Sequence, residues 1–240
     1  MVPLALATMT VKTVQFGDEG QRATAELVKR FESLAPLQLA AYRTTHGSLR
    51  TLQSIDKQYG GMAVHELEDV SSLVGGIHTQ LARWDAEAVR HKLAAAATLA
   101  EVTIGVALWA IRHGVPLDVV EPVVNALAWR SNHAKGKAEL AAVYSLMRGV
   151  IAHVAPRLAA DLERSNPERP WRLLHANLAI TAIRTEDPAL MDFAFDALDR
   201  ALPDEGAGFY AEALALALNP RISPVVREKL EQRQRLGPAQ

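Results

Sequence analysis

GKAELAAVYSLMRGVIAHVAPRLAA, residues 136–160, carries the most regular hydrophobic pattern in the chain. Its apolar side chains recur at intervals of three and four residues, which places them on one face of an α-helix. The pattern predicts a helix over about 136–160 that bends or ends near Pro156, because proline cannot donate the hydrogen bond of a helix interior. The stripe consists of Leu140, Val143, Tyr144, Met147, Val150, Ile151, Val154 and Leu158.

The same helical periodicity extends in both directions from this segment, and no stretch shows the alternation of a β-strand bounded by turns. Gly114 with Pro116 predicts the end of a long central helix, and Asp187 with Pro188 predicts a capped helix start. Besides 136–160, the predicted helices cover about 20–34, 36–58, 62–82, 84–113, 117–131, 171–185, 188–202, 206–218 and 224–235. We therefore expect an all-α fold of about nine to eleven helices with no sheet.

The variation in helix length predicts either a multi-helix bundle or an irregular α-solenoid. No two stretches align at a fixed period, which argues against a regular repeat array. The loop SNPERP, residues 165–170, is the expected boundary between two parts. We expect residues 1–19 to form a flexible N-terminal segment, 20–164 a helical bundle around the long central helix, and 165–240 a solenoid-like C-terminal subdomain.

The composition is that of a globular protein, since 49% of the 240 residues are hydrophobic and 22% are charged. The formal net charge of -1 provides no overall field to attract nucleic acid or an anionic membrane.

Cysteine is absent, which excludes disulfides and thiolate sites and fits a cytoplasmic protein. The opening MVPLALATMT lacks the basic residues and the length of a secretory signal, and the native start could be Met1 or Met9.

One apolar segment, residues 93–111, reaches the lower end of the length needed to cross a bilayer. The segment is rich in alanine, and its one formal charge, Glu101, lies near the middle, where a carboxylate is costly in hydrocarbon. The helical pattern also continues into the residues before it. We therefore expect a helix within the protein core and no interaction with a membrane.

Basic residues concentrate in AWRSNHAKGKAEL, residues 128–140. Its Gly-Lys pair is not a phosphate-binding loop, which needs a glycine five residues earlier, a following Ser or Thr, and a preceding strand. A polar loop at a helix N-terminus remains, and it either binds an anion or is simply solvated. The candidate ligand-binding residues are Arg130, His133, Lys135, Lys137 and Arg148.

The predicted helix over 84–113 carries polar residues along one line. This line is either a solvent-facing strip or the wall of a groove in which Glu101 is partly desolvated and suited to acid-base work. The candidate catalytic residues are accordingly Glu101 and His133. The line consists of Glu87, His91, Thr98, Glu101, Gly105 and Arg112.

The sequence contains no spacing typical of a metal site, since it has neither a Glu-x-x-His pair for a di-iron bundle nor a zinc-protease motif. No cofactor is predicted. An acidic stripe formed by Asp192, Asp196 and Asp199 lies opposite an apolar face of its helix. Such a stripe is either a solvated surface or a contact for the basic surface of a partner.

These observations favour a helical protein-protein interaction module, such as a scaffold, adaptor or regulatory subunit, without catalytic activity. Its expected partner is another protein or a second copy of the chain. The alternative is a small-ligand protein or enzyme that acts on an anionic substrate near Glu101 and Arg130. Nucleic-acid binding is a third hypothesis that the dispersed arginines do not favour.

Overall fold

The computed structural model describes residues 45, 47–52, 54, 55, 68–92, 94–160, 162–219 and 222–236. The helices with defined bounds in these ranges are α1 Glu68–Arg90, α2 Ala96–His113, α3 Glu121–Asn132, α4 Lys137–Leu158, α5 Pro170–Thr185, α6 Pro188–Ala201, α7 Gly206–Ala217 and α8 Pro224–Leu236. No strand occurs among the described residues, so the predicted all-α fold is confirmed there. The predicted helix over 20–34 and the predicted flexible segment 1–19 lie outside them.

The long central helix predicted over 84–113 is wrong, because the chain breaks between α1 and α2. The amides of His91 and Lys92 bond to carbonyls four and three residues earlier, and Lys92 then adopts a left-handed conformation with φ 54°. No glycine or proline marks this break in the sequence. We attribute it to packing, since α1 and α2 turn back and bury apolar faces against each other, and tertiary burial outweighs local helix propensity.

The predicted helix end at Gly114 and Pro116 is confirmed, because α2 ends at His113. Gly114 occupies the C-cap with φ 70°, a left-handed conformation that glycine adopts without a Cβ clash. Its amide and that of Val115 bond back to the last carbonyls of the helix at 3.2 and 2.8 Å. The predicted α6 start is also confirmed, because the Asp187 carboxylate accepts hydrogen bonds from Ala189 N and Leu190 N at 2.9 and 3.2 Å.

Contacts divide the chain into two compact units. Unit 1 comprises residues 1–130 with 152–154, and unit 2 comprises residues 131–151 with 155–240. This division does not test the predicted boundary near residue 165, which stays a prediction.

Within unit 1, α2 is the central helix, with side chains buried almost continuously from Val102 to Ile111. Buried His78 on α1 donates a hydrogen bond from Nε2 to the carbonyl of Thr103 on α2 at 3.3 Å. Burial lowers the pKa of His78 to about 4, because the core disfavours the charged imidazolium. The Ser71 hydroxyl donates to Asp118 at 2.6 Å and so fixes α1 against the segment before α3.

Within unit 2, α5 and α6 pack as a helical pair, and α8 packs against both α6 and α7. The Tyr144 hydroxyl of α4 donates to the carbonyl of Leu190 at the start of α6, at 3.3 Å. Burial raises the pKa of Tyr144 to about 12. Phe195 and Leu230 are fully buried, so the core of this unit extends from α6 to α8.

Candidate functional site

A groove of about 600 Å³ lies among α1, α2 and α3 in unit 1. Its volume falls within the range of about 300 to 1,000 Å³ that is usual for ligand pockets. Five of the lining residues are alanines, so small apolar side chains form a substantial part of the wall. These alanines are Ala82, Ala86, Ala96, Ala100 and Ala126.

The groove follows from helical spacing. Ala82 and Ala86 on α1, and Ala96 and Ala100 on α2, are four residues apart, so each pair lies on one face of its helix. Both faces line the same space. Because an alanine side chain ends at Cβ, two such faces leave between them a volume that larger side chains would fill.

Besides the hydroxyls of Thr79 and Thr103, four charged or amide side chains line the groove, and all four are exposed: Arg83, Asp85, Glu121 and Asn125. None of them makes a side-chain hydrogen bond or an ion pair with another residue, as far as the structure describes the chain. Arg83 and Asp85 are two residues apart on α1, and side chains at that spacing do not face each other. Partial burial raises the pKa of Asp85 above its ordinary value, although the side chain still reaches solvent. The groove therefore offers unused polar groups beside an apolar surface.

Trp129 gives the groove its aromatic component. It is half-buried and lines the wall that α3 contributes. The other three tryptophans, Trp84, Trp109 and Trp171, are buried. A partly exposed tryptophan beside small apolar residues is typical of a recognition surface, because it adds a large contact area with little loss of conformational entropy.

The two predicted residues of unit 1, Glu101 and Arg130, lie close together. Their carboxylate and guanidinium groups form an ion pair at 3.3 Å, and the side chain of Glu101 is 53% exposed. Neither residue belongs to the groove wall. An ion pair exposed to this degree contributes little to stability. The catalytic role for Glu101 and the anion-binding role for Arg130 stay predictions.

The other predicted residues belong to unit 2. Lys137 pairs with Glu186 at 2.6 Å, and the Arg148 guanidinium stacks over the Phe193 ring, 3.9 Å from its centroid. The backbone amide of Lys135, two residues before α4, donates to the carboxylate of Glu139 in the first turn of α4 at 3.0 Å. His133 is exposed to solvent. Lys137 and Arg148 thus interact with side chains of the chain itself, and ligand binding by these four residues stays a prediction.

The acidic stripe of α6 has a partner that the sequence reasoning did not identify. Lys229 of α8 pairs with Asp192 at 2.6 Å, and Arg233 of α8 pairs with Asp196 and, at 3.2 Å, with Asp199. The basic surface that meets the stripe therefore belongs to the same chain. The available signal was the matching spacing, since both pairs of residues are four apart and carry opposite charges.

A second cavity, of about 490 Å³, lies in unit 2 beside the start of α5. Buried Arg169 donates to the carbonyls of Arg164 and Asn166 at 3.1 and 3.0 Å and pairs with Glu205, which also pairs with Arg172. Burial alone would raise the pKa of Glu205, but hydrogen bonds and charges from Arg172 and Arg169 lower it overall. The arginines are thus balanced by a carboxylate of the chain, as in a structural ion-pair network.

Within the described residues, no group of three His, Asp or Glu side chains could hold a metal ion. One helix among them, Lys137–Leu158, is long and apolar enough to cross a membrane, which is also typical of a helix packed in a protein core. Comparisons with protein-family models, curated proteins and solved structures find no significant match, so the function has to be inferred from the groove itself.

Proposed function

We propose that the chain is a helical protein-protein interaction module without catalytic activity, and that the groove of unit 1 is its docking site. The observation that carries this proposal is the combination of an alanine-rich wall with polar side chains that lack partners. Interfaces of this kind join an apolar centre to a polar rim. The groove has both components before any partner is bound.

The dimensions of the groove suit a helix. On α1 the lining extends from Thr79 to Ala86, and on α3 from Glu121 to Trp129. At 1.5 Å per residue these stretches are about 10 and 12 Å long, which is the length of two helical turns. Small side chains let helix axes approach to about 8 Å. An amphipathic helix of the partner can therefore lie in the groove with its apolar face inward.

A small molecule is the second candidate occupant, and the volume of the groove favours it. For an anionic ligand the wall supplies one cation, Arg83, beside two carboxylates. Glu101 and Arg130, which the sequence reasoning assigned to such a ligand, pair with each other outside the wall. The open, alanine-lined shape favours a helix over an anionic small molecule.

The test is selection of binders from a displayed library of amphipathic helices of about 18 residues, a length at which isolated helices form. Ala86→Phe places a ring in the groove, and exposed Ala97→Phe on α2, outside the groove wall, is the matched control. Because Ala86 is exposed, the larger side chain fits without repacking a core, and circular dichroism checks the fold.

We expect selected peptides to lose at least about tenfold in affinity on Ala86→Phe and to retain it on Ala97→Phe. Tryptophan-free peptides should also shift the emission of Trp129, the one tryptophan that is not buried. Binders that Ala86→Phe leaves unaffected would contradict the docking site. A small molecule that stabilises the protein and is blocked by Ala86→Phe, with no helical binder found, would favour the second candidate.

A further inference from the structure

We propose that the partner segment in the groove is a cationic amphipathic helix that presents a lysine or arginine to Asp85 and Glu121. This inference rests on the proposed function and specifies the chemistry of the partner. It follows from the charges that the groove wall contains and from the contacts that these charges lack.

The wall carries one guanidinium group, from Arg83, and two carboxylates, from Asp85 and Glu121, so its formal charge is negative by one. The carboxylates come from two different helices, α1 and α3. Glu101, on α2 but outside the wall, has a cation of the chain beside it. Asp85 and Glu121 have no such partner among the described residues.

Arg83 does not replace the missing cation. Both side chains line the groove, but Arg83 lies two residues from Asp85 on α1 and makes no ion pair with it, since residues at that spacing do not face each other. Lys and Arg side chains of the other described elements are absent from the groove wall. In the free protein water solvates the exposed Asp85 carboxylate, so a cation that pairs with it on docking would come from the docked segment.

Docking makes the need for a cation greater. Asp85 is exposed in the free protein, and an apolar helix face that covers the alanines would remove water from the same wall. A carboxylate that is dehydrated without a partner opposes binding, whereas one that gains a hydrogen-bonded cation favours the complex and fixes the register of the helix. A neutral helix would therefore bind less tightly than one with a basic residue at this position.

The experiment uses helical peptides selected as described above on the full chain. From one selected sequence, three peptides are made that differ only at the position nearest Asp85, with Lys, Gln or Glu. Their affinities are measured by fluorescence anisotropy for the unmodified protein, for Asp85→Asn and for Asp85→Lys. Asp204→Asn, an exposed position in unit 2, is the control for a change of net charge.

We expect the Lys peptide to bind the unmodified protein about tenfold more tightly than the Gln peptide, a ratio that Asp85→Asn reduces to about twofold or less. Asp85→Lys should reverse the order in favour of the Glu peptide. Asp204→Asn should preserve the original ratio. Glu121→Gln should lower the ratio in the same direction as Asp85→Asn.

Three results would overturn the inference, and they can be told apart. If the three peptides bind equally well and Ala86→Phe still abolishes binding, the groove is a docking site without the proposed charge preference. If no selected peptide depends on the groove, the proposed function fails together with the charge preference. A selection that enriches acidic residues at this position would also contradict the inference.

Discussion

Gly206→Ala should destabilise unit 2, although replacing a helical glycine by alanine normally stabilises a protein. Gly206 is the first residue of α7, and a Cβ built there would lie 2.6 Å from a carboxylate oxygen of Asp199. Real Cβ atoms do not approach an oxygen so closely. Either the carboxylate or the start of α7 must therefore move.

The Asp199 carboxylate is held in place, which makes its displacement costly. It is buried, accepts a hydrogen bond from the Tyr210 hydroxyl at 2.8 Å, and pairs with Arg233 at 3.2 Å. Loss of one hydrogen bond to a charged group costs about 1.5 to 3 kcal/mol. Alanine returns about 0.5 to 1 kcal/mol through its higher helix propensity. We expect a net loss of about 1 to 2 kcal/mol in the free energy of unfolding.

Gly208→Ala is the matched control, because Gly208 lies two residues further along α7 and its Cβ would meet no atom within 4 Å. That substitution should stabilise by about 0.5 to 1 kcal/mol. Urea denaturation followed by circular dichroism gives both changes from the unfolding midpoints. If Gly206→Ala stabilises the protein as much as Gly208→Ala does, the Asp199 cluster is not the rigid element described above.

Three further predictions concern single side chains. Asp187→Ala should lower the free energy of unfolding by about 1 kcal/mol, since two backbone amides of α6 lose their acceptor, and Asp187→Asn should restore most of it. Arg233→Lys should destabilise unit 2 and weaken its response to salt, because one ammonium cannot reproduce the forked contacts to Asp196 and Asp199; an unchanged urea midpoint would contradict this. In the folded protein, burial lowers the pKa of the His78 imidazole to about 4, below the ordinary 6.5. The unfolded chain therefore binds the proton first as the pH falls, and the free energy of unfolding should decrease between pH 6.5 and about 4. A His78→Gln variant should lack this part of the pH dependence in thermal unfolding.

Capping residues in the sequence correctly predicted where two of the helices begin or end. Asp187 caps α6 and Gly114 ends α2 because each satisfies backbone groups within a few residues. The turn between α1 and α2 had no such signal. Its residues, HKLAAA from position 91, are all compatible with a continuous helix, so only the packing of distant residues could decide against one.

The same contrast between local signals and distant packing applies to the charged side chains. The spacing of Asp192 and Asp196 indicated an acidic stripe, but spacing alone could not show that Lys229 and Arg233 of α8 lie against it. Asp85 differs from Asp192 and Asp196 because it has no cation of the described chain beside it. Nothing in its local sequence distinguishes it from other surface acids, and its interest lies in the lack of a cation beside it. Whether a charge is paired is a property of the folded chain.

The wrong prediction for α1 and α2 and the missed groove have one cause. In a continuous helix over 84–113, Ala100 would follow Ala86 by 14 residues, about 21 Å further along the same side of one helix. No groove could form between them. Because the chain reverses at Lys92, the alanine faces of α1 and α2 instead line one space together with α3. The reversal that no local signal marks is therefore the step that creates the proposed docking site, and a substitution that extended α1 through Lys92 would remove the groove with it.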